Sequence, residues 1–223
     1  MSQKTEFELA YEGNLGALKI KFAGEPKLAT TKDTNERMPL HWACSGGRKE
    51  VVSYLLDQLN VPVNEQDDAG WTPLMIASSA GHDDIVISLL ESKADPQIVN
   101  FTGQSVLHYA ASKNRLTIAE ALLRAGVEVN VQDKTTGATP LHRAASKGYL
   151  KMVQLLVEHG SSVNKEDNHR NTPLHLACEE ERLDVIKYLL KQGSDPSLRN
   201  KENLQAFELA PPQIRKRVQE MQF

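Results

Sequence analysis

Histidines, cysteines and clustered carboxylates are the residues of this chain that could bind a metal, move a proton or act as a nucleophile. There are seven histidines and two cysteines among 223 residues. Four histidines, His41, His108, His142 and His175, stand in one recurring context: proline or valine, leucine, histidine, any residue, alanine. If each copy is one helical layer, the rings lie about 8 to 10 Å apart or more, and they cannot converge on one zinc ion at bonds of about 2 Å. Their expected role is structural, with ring nitrogens bonding backbone groups of the loops. Cys44 and Cys178 hold the same place in two distant copies, too far apart for a disulfide. They are expected to be small buried residues in a reducing compartment. The carboxylate runs Asp67-Asp68 and Glu179-Glu180-Glu181 lie more than three copies apart, so they form no acid/base pair. Phosphate-loop, dinucleotide, zinc-protease and nucleophile-elbow motifs are absent from the sequence. These residues imply no enzyme, no cofactor and no metal.

The elements that hold them follow from the recurrence. Thr172-Pro173-Leu174-His175-Leu176-Ala177 has near-copies at Met38-Pro39-Leu40-His41-Trp42-Ala43, Thr72-Pro73-Leu74-Met75-Ile76-Ala77, Ser105-Val106-Leu107-His108-Tyr109-Ala110, Thr139-Pro140-Leu141-His142-Arg143-Ala144 and Gln205-Ala206-Phe207-Glu208-Leu209-Ala210. The leucine, finally a phenylalanine, falls at 40, 74, 107, 141, 174 and 207, and one step back lands on Phe7 with Ala10. Seven units result, at about 1–36, 37–70, 71–103, 104–137, 138–170, 171–203 and 204–223. A period near 33 with a T-P-L-H-x-A core is the ankyrin signature, a turn and two antiparallel helices per unit. Threonine caps the first helix, proline fits its first turn, and leucine and alanine face the neighbouring unit. A second apolar stripe, such as Ile85-Val86 with Leu89-Leu90, marks the second helix. The expected fold is all-α. It is an ankyrin-repeat solenoid of seven helix-turn-helix units with β-hairpin-like loops and terminal units as caps, forming one domain over 1–223. Two insertions interrupt the period, and each is expected to lengthen a turn: one around Asp57-Gln58-Leu59-Asn60, the other at Lys134-Thr135-Thr136-Gly137.

The net charge of −3 conceals a pattern. Units 37–70 and 71–103 carry 3 and 1 basic residues against 5 and 4 acidic ones; 104–137 and 138–170 carry 4 and 5 against 3 each; 171–203 carries 5 against 6. Acidic, basic and acidic bands suit a protein partner of complementary pattern. They suit nucleic acid poorly, because phosphates would meet repulsion at both ends. No apolar run is long enough to span a membrane, no secretory leader is evident, and the expected address is cytoplasm and nucleus.

Surface remains as the functional feature. In this repeat the hairpin tips and the exposed side of each first helix line a concave face. The period puts Arg37, Trp42, Asp68, Trp71, Ile76, Tyr109, Lys113, Arg115, Arg143, Lys147, Leu176, Glu179, Glu180 and Arg182 on it. Arginine and aromatics carry most interface energy, so this face is expected to bind protein. In the unit at 171–203, Glu179-Glu180-Glu181-Arg182 stands where other units have small residues and glycine.

At these variable positions the chain resembles the gankyrins, ankyrin-repeat chaperones of proteasome assembly. The resemblance rests on Leu40-His41-Trp42-Ala43-Cys44-Ser45, Asp67-Asp68-Ala69-Gly70-Trp71, Tyr109-Ala110-Ala111-Ser112-Lys113-Asn114-Arg115 and Leu174 through Arg182. It implies that a monomer holds the C-terminal domain of one proteasomal AAA ATPase subunit during assembly of the regulatory particle. The family's charged contacts map onto Arg37, Asp68, Lys113, Glu180 and Glu181. An L-x-C-x-E motif linked in the family to the retinoblastoma protein matches Leu176, Cys178 and Glu180, although a helix would turn Cys178 into the core. Cyclin-dependent kinase and ubiquitin-ligase partners are further implications of the family, and a general ankyrin adaptor is the alternative reading.

Overall fold

A computed structural model describes residues 4–219, with side chains for 4–217. The ends of the expected 1–223 domain lie outside the described residues. Two compact units form, Met1–Phe101 and Thr102–Phe223.

In the first compact unit, α1 (Glu6–Glu12) pairs with α2 (Leu15–Gly24), α3 (Pro39–Gly46) with α4 (Lys49–Ser53), and α5 (Pro73–Ala80) with α6 (Asp83–Glu91). The first helices stack α1 on α3 on α5, because alanine at the fourth position after proline lets the backbones approach. Leu18, Leu40, Leu55, Leu74, Ile85 and Leu89 are fully buried between the layers. Phe7, at the motif leucine's place, is only half-buried, since α1 leans on α3 from one side.

The first insertion does not lengthen the turn. The helix of α4 continues as one π-helical turn, Tyr54–Gln58, and the extra residue is absorbed there. Val61 N–H consequently reaches back to Leu55 O, one residue further than Ala94 N–H reaches to Leu89 O.

The second compact unit holds α7 (Val106–Ser112) with α8 (Leu116–Arg124), and α9 (Pro140–Lys147) with α10 (Leu150–Glu158). Next come α11 (Pro173–Glu179) with α12 (Leu183–Lys191), and α13 (Ala206–Leu209) with α14 (Pro212–Gln219). Again α7, α9, α11 and α13 stack in one layer, and α8, α10, α12 and α14 in the other. Here the insertion sits in the hairpin: Asp133 N–H bonds Ala138 O, whereas Asp167 N–H bonds the nearer Asn171 O. The hairpins are turns closed by pairs of backbone bonds, such as Asp67 N–H to Trp71 O with Gly70 N–H to Asp67 O, and the described residues carry isolated bridge positions at Val99 and Ser105 and a bridge between Arg199 and Gln205.

Candidate protein-binding surfaces

The motif histidines fix where α3, α7, α9 and α11 begin. Thr139 N–H donates to His142 Nδ1 at 3.1 Å, so Nδ1 accepts and the proton sits on Nε2. Nε2–H then donates to Asn171 O at 3.0 Å, in the loop leading to the next unit. His41 bridges Met38 N–H and Glu65 O, His108 bridges Ser105 N–H and Ala138 O, and His175 bridges Thr172 N–H and Leu204 O. Burial holds all four rings below the ordinary histidine value, and the carbonyl that each one bonds offsets this only in part. The structural reading of these histidines holds, and neither ring nitrogen is left for a ligand. Both cysteines are fully buried, and burial pushes the Cys178 thiol up to about 12 and the Cys44 thiol up as well.

A second set of residues, missed by the sequence reading, fixes the hairpins. Asp33, Asp67, Asp133, Asp167 and Asn200 each turn a side-chain oxygen onto two backbone N–H groups of their own loop. Asp67 Oδ1 takes Ala69 and Trp71 at 3.0 and 2.8 Å, and Asp167 Oδ1 takes His169 and Asn171 at 2.8 Å each. The equivalent pairs are Asn35 and Arg37 on Asp33, Thr135 and Thr136 on Asp133, and Glu202 and Leu204 on Asn200. The signal was an Asx residue recurring at 33, 67, 100, 133, 167 and 200, the side-chain type that closes such turns.

Two of these anchors also seize the variable residue of the T-P-L-H-x-A motif. Trp42 Nε1–H donates to Asp33 Oδ2 at 2.8 Å and Arg143 Nη2–H to Asp133 Oδ2 at 2.8 Å, whereas Tyr109 O–H donates to Gln104 Oε1 at 2.6 Å. Burial alone would raise the Asp133 carboxyl, but the Thr136 amide and hydroxyl and the Arg143 guanidinium outweigh it and hold the group below the usual carboxylate range.

In the first compact unit, Arg37 does not point freely outward. Its Nε and Nη2 sit 2.9 Å from Asp67 Oδ2, and its guanidinium lies 5.5 Å from the Trp42 ring centre. The Asp67-Asp68 run is thereby split: Asp67 is buried as an anchor, and Asp68 stays exposed at the hairpin tip. Trp71 is half-buried. Ile76, expected on the exposed face, is a correction: only 8% of it is accessible, because an aliphatic side chain with no polar tip gains by turning into the layer.

In the second compact unit, a groove of about 430 Å³ brings Arg143 and Lys147 from α9 together with Leu176 and Glu179 from α11 and Glu180 at its C-cap. Tyr109, Lys113 and Arg115 lie outside its lining, with Lys113 exposed at the end of α7 and Arg115 half-buried. Arg182 donates through Nε to Ser146 O at 3.0 Å and pairs with Glu180 at 3.3 Å. Glu181 is exposed in the left-handed region at φ 58°, where the equivalent Gly148 has φ 75°. Of the L-x-C-x-E match, Leu176 is half-buried, Cys178 is fully buried on α11, and Glu180 is exposed just past the helix end.

A protein-family model described as ankyrin repeats, in three copies, matches residues 7–100, 61–133 and 107–200. The chain is 37% identical over 114 residues to the probable 26S proteasome regulatory subunit p28 of Saccharomyces cerevisiae, covering 49% of this chain and 50% of that protein. It is 54% identical over 65 residues to the human 26S proteasome non-ATPase regulatory subunit 10, covering 29% of this chain and 28% of the human one. The matched stretches thus span half or less of these relatives' own lengths. Among solved structures, the human ASB11 ankyrin repeat domain superposes with a TM-score of 0.86 at 28% identity, covering 99% of this chain and 100% of that one.

Proposed function

This chain belongs to the ankyrin-repeat family, and from that premise we propose that it is a non-enzymatic, protein-binding chaperone that holds the C-terminal domain of a proteasomal AAA ATPase subunit during assembly of the regulatory particle. The proteasomal names of its relatives support the setting, and the charged groove on α9 and α11 supports the mode.

The observation that carries the reading is the end of α11. Three carboxylates, Glu179, Glu180 and Glu181, gather at a helix C-terminus, where the peptide dipoles repel negative charge at a cost of roughly 0.3 to 1 kcal/mol each. Glu181 adds the strain of a left-handed backbone, about 1 kcal/mol or more. Stability is given up here for an acidic surface facing Arg143 and Lys147 across the groove. A partner with basic and acidic side chains in the opposite order fits that arrangement. In this reading Lys113, with Tyr109, Arg115 and Arg182, adds to the contact in the second compact unit, and Arg37 and Asp68, with Trp42 and Trp71, make contacts of their own in the first. The protein then works as a monomer in cytoplasm and nucleus. Use of Leu176, Cys178 and Glu180 as an extended motif for the retinoblastoma protein would require unfolding α11, since Cys178 has no accessible surface.

The test is a pull-down of isolated C-terminal domains of the proteasomal ATPases with the wild-type chain, Lys113→Glu and Glu180→Lys/Glu181→Lys. Selective capture of one domain, weakened by either reversal and by salt, is the expected result. Capture of none would overturn the reading in favour of a general ankyrin adaptor.

A further inference from the structure

The hairpin aspartates form a series with one member that lacks its partner. Asp33, Asp67 and Asp133 each turn Oδ1 onto backbone N–H groups and hold a planar N–H donor on Oδ2. The donor is the Trp42 indole at 2.8 Å, the Arg37 guanidinium at 2.9 Å and the Arg143 guanidinium at 2.8 Å. Two positions in the repeat supply it. At Asp33 and Asp133 it is the variable motif residue of the unit that follows the hairpin. Asp67 meets Ile76 at that position, and takes Arg37 from the end of the preceding hairpin instead.

At Asp167 neither position carries a donor. The variable residue is Leu176, and the counterpart of Arg37 is Ala138. Asp167 Oδ1 still accepts from His169 and Asn171, but Oδ2 takes no hydrogen bond and no ion pair among the described residues. Asp167 is half-buried, whereas the side chains of Asp67 and Asp133 have no accessible surface. The groove on α9 and α11 lies where the donor is missing. Its lining includes Asp167, Leu176 and Ala138, together with Glu179, an exposed carboxylate with no ion pair among the described residues.

An open carboxylate oxygen beside apolar side chains suits a cation with a carbon stem and a flat head. The chain's own pattern selects the head: two of the three filled aspartates hold a guanidinium, and none holds an ammonium. A guanidinium can set one N–H edge on Asp167 Oδ2 and offer another to Glu179, with its stem on Leu176 and Ala138. An ammonium is a compact, strongly hydrated charge without that fork.

We propose that Asp167 is the seat of an arginine side chain presented by the partner protein, filling the place that Arg37 and Arg143 fill from within the chain at Asp67 and Asp133. The inference rests on the groove being a protein-binding face, as proposed above, and not on which protein binds there. Lys147, on the α9 side of the same groove, favours an acidic neighbour of that arginine in the partner.

The test uses the full chain, labelled with nitrogen-15, titrated near neutral pH with the Nα-acetyl amides of arginine, lysine and citrulline, the last a neutral isostere of arginine. The amide signals of His169 and Asn171, which donate to Asp167, should shift saturably with the arginine probe, about tenfold more tightly than with the other two. Asp167→Asn keeps the hairpin, since Asn200 closes the next one through the same pair of amide bonds, and should abolish binding while leaving the thermal transition in place. Leu176→Arg supplies the donor from within, as Arg143 does. It should raise the urea midpoint, lose that gain when combined with Asp167→Asn, and close the site to the probe. Equal binding of citrulline, unaltered binding in Asp167→Asn, unmoved His169 and Asn171 signals at the solubility limit of the arginine probe, or a Leu176→Arg midpoint indifferent to Asp167→Asn would each overturn the assignment. Capture of no ATPase domain would overturn only the chaperone reading and leave these results standing.

Discussion

Helices α9 and α11 stand side by side in the second compact unit and begin alike, with Thr-Pro-Leu-His and the same histidine bridge. They differ in everything that faces outward. In the α9 layer the variable motif position is Arg143, ion-paired at 2.8 Å to a buried hairpin aspartate, and the helix ends on Lys147 and Gly148. In the α11 layer that position is Leu176, the hairpin Asp167 bonds backbone N–H groups alone, and the helix ends on three glutamates. One layer is cross-braced, and its neighbour carries strain and like charge at the same register. The difference teaches that the repeat's inner residues are common property, while each layer's outer residues can trade stability for recognition.

That contrast can be broken most forcefully at the hairpin aspartates. Asp133→Ala removes a buried carboxylate, its amide bonds and the Arg143 pair, and should cost about 3 kcal/mol. Asp167→Ala loses only amide bonds and should cost about 1 to 2 kcal/mol. Urea unfolding of both variants decides it; equal losses would mean that the Arg143 brace contributes nothing.

A smaller effect, of opposite sign, belongs to the helix ends. Glu181→Gly relieves the left-handed strain and removes a carboxylate from the C-terminus of α11, so it should raise stability by about 1 kcal/mol. Gly148→Ala, at φ 75° with an added Cβ 2.7 Å from the Arg182 side chain, should lower stability by a similar amount. If Glu181→Gly failed to stabilise, α11 would not be the layer that yields stability to its surface.

The smallest effect tests what the layers share. The four bridging histidines have folded-state values below the ordinary 6.5, so the native chain binds fewer protons than the unfolded one. Their contribution is whole above about 6.5 and is lost as pH falls through the folded-state values. Moving from about pH 7.5 to about 5.5 should therefore lower the urea midpoint of the wild type and of Glu181→Gly by the same amount. A midpoint that stayed put would show that the rings take up protons without breaking their bridges to Asn171 and Leu204.

Much of this was legible in the sequence because it is periodic. The leucines at 40, 74, 107, 141 and 174, the buried alanines and the histidine bridges follow from a motif that places each residue at a fixed angle on its helix. The Asx anchors were equally periodic and were overlooked because all five sit beside other charged residues and read as part of acidic or basic tips. The absorption of the first insertion as a π turn was not legible. A one-residue excess near Asp57 can be taken up by helix or by loop, and only the packing of Leu55 against its layer selects between them.

The sequence by itself determined the number of layers, the register of their cores and the residue types on offer at their surface, since each depends on spacing along one chain. Only the tertiary structure decided the partner each polar or aromatic head would take. Arg37 went to Asp67, not to solvent, Ile76 turned inward, and Phe7 and Tyr11 met Trp42 across more than thirty residues of chain. The physical reason is that a repeat fixes direction locally, whereas hydrogen bonds, ion pairs and ring contacts act over a few ångströms between residues that folding alone brings together.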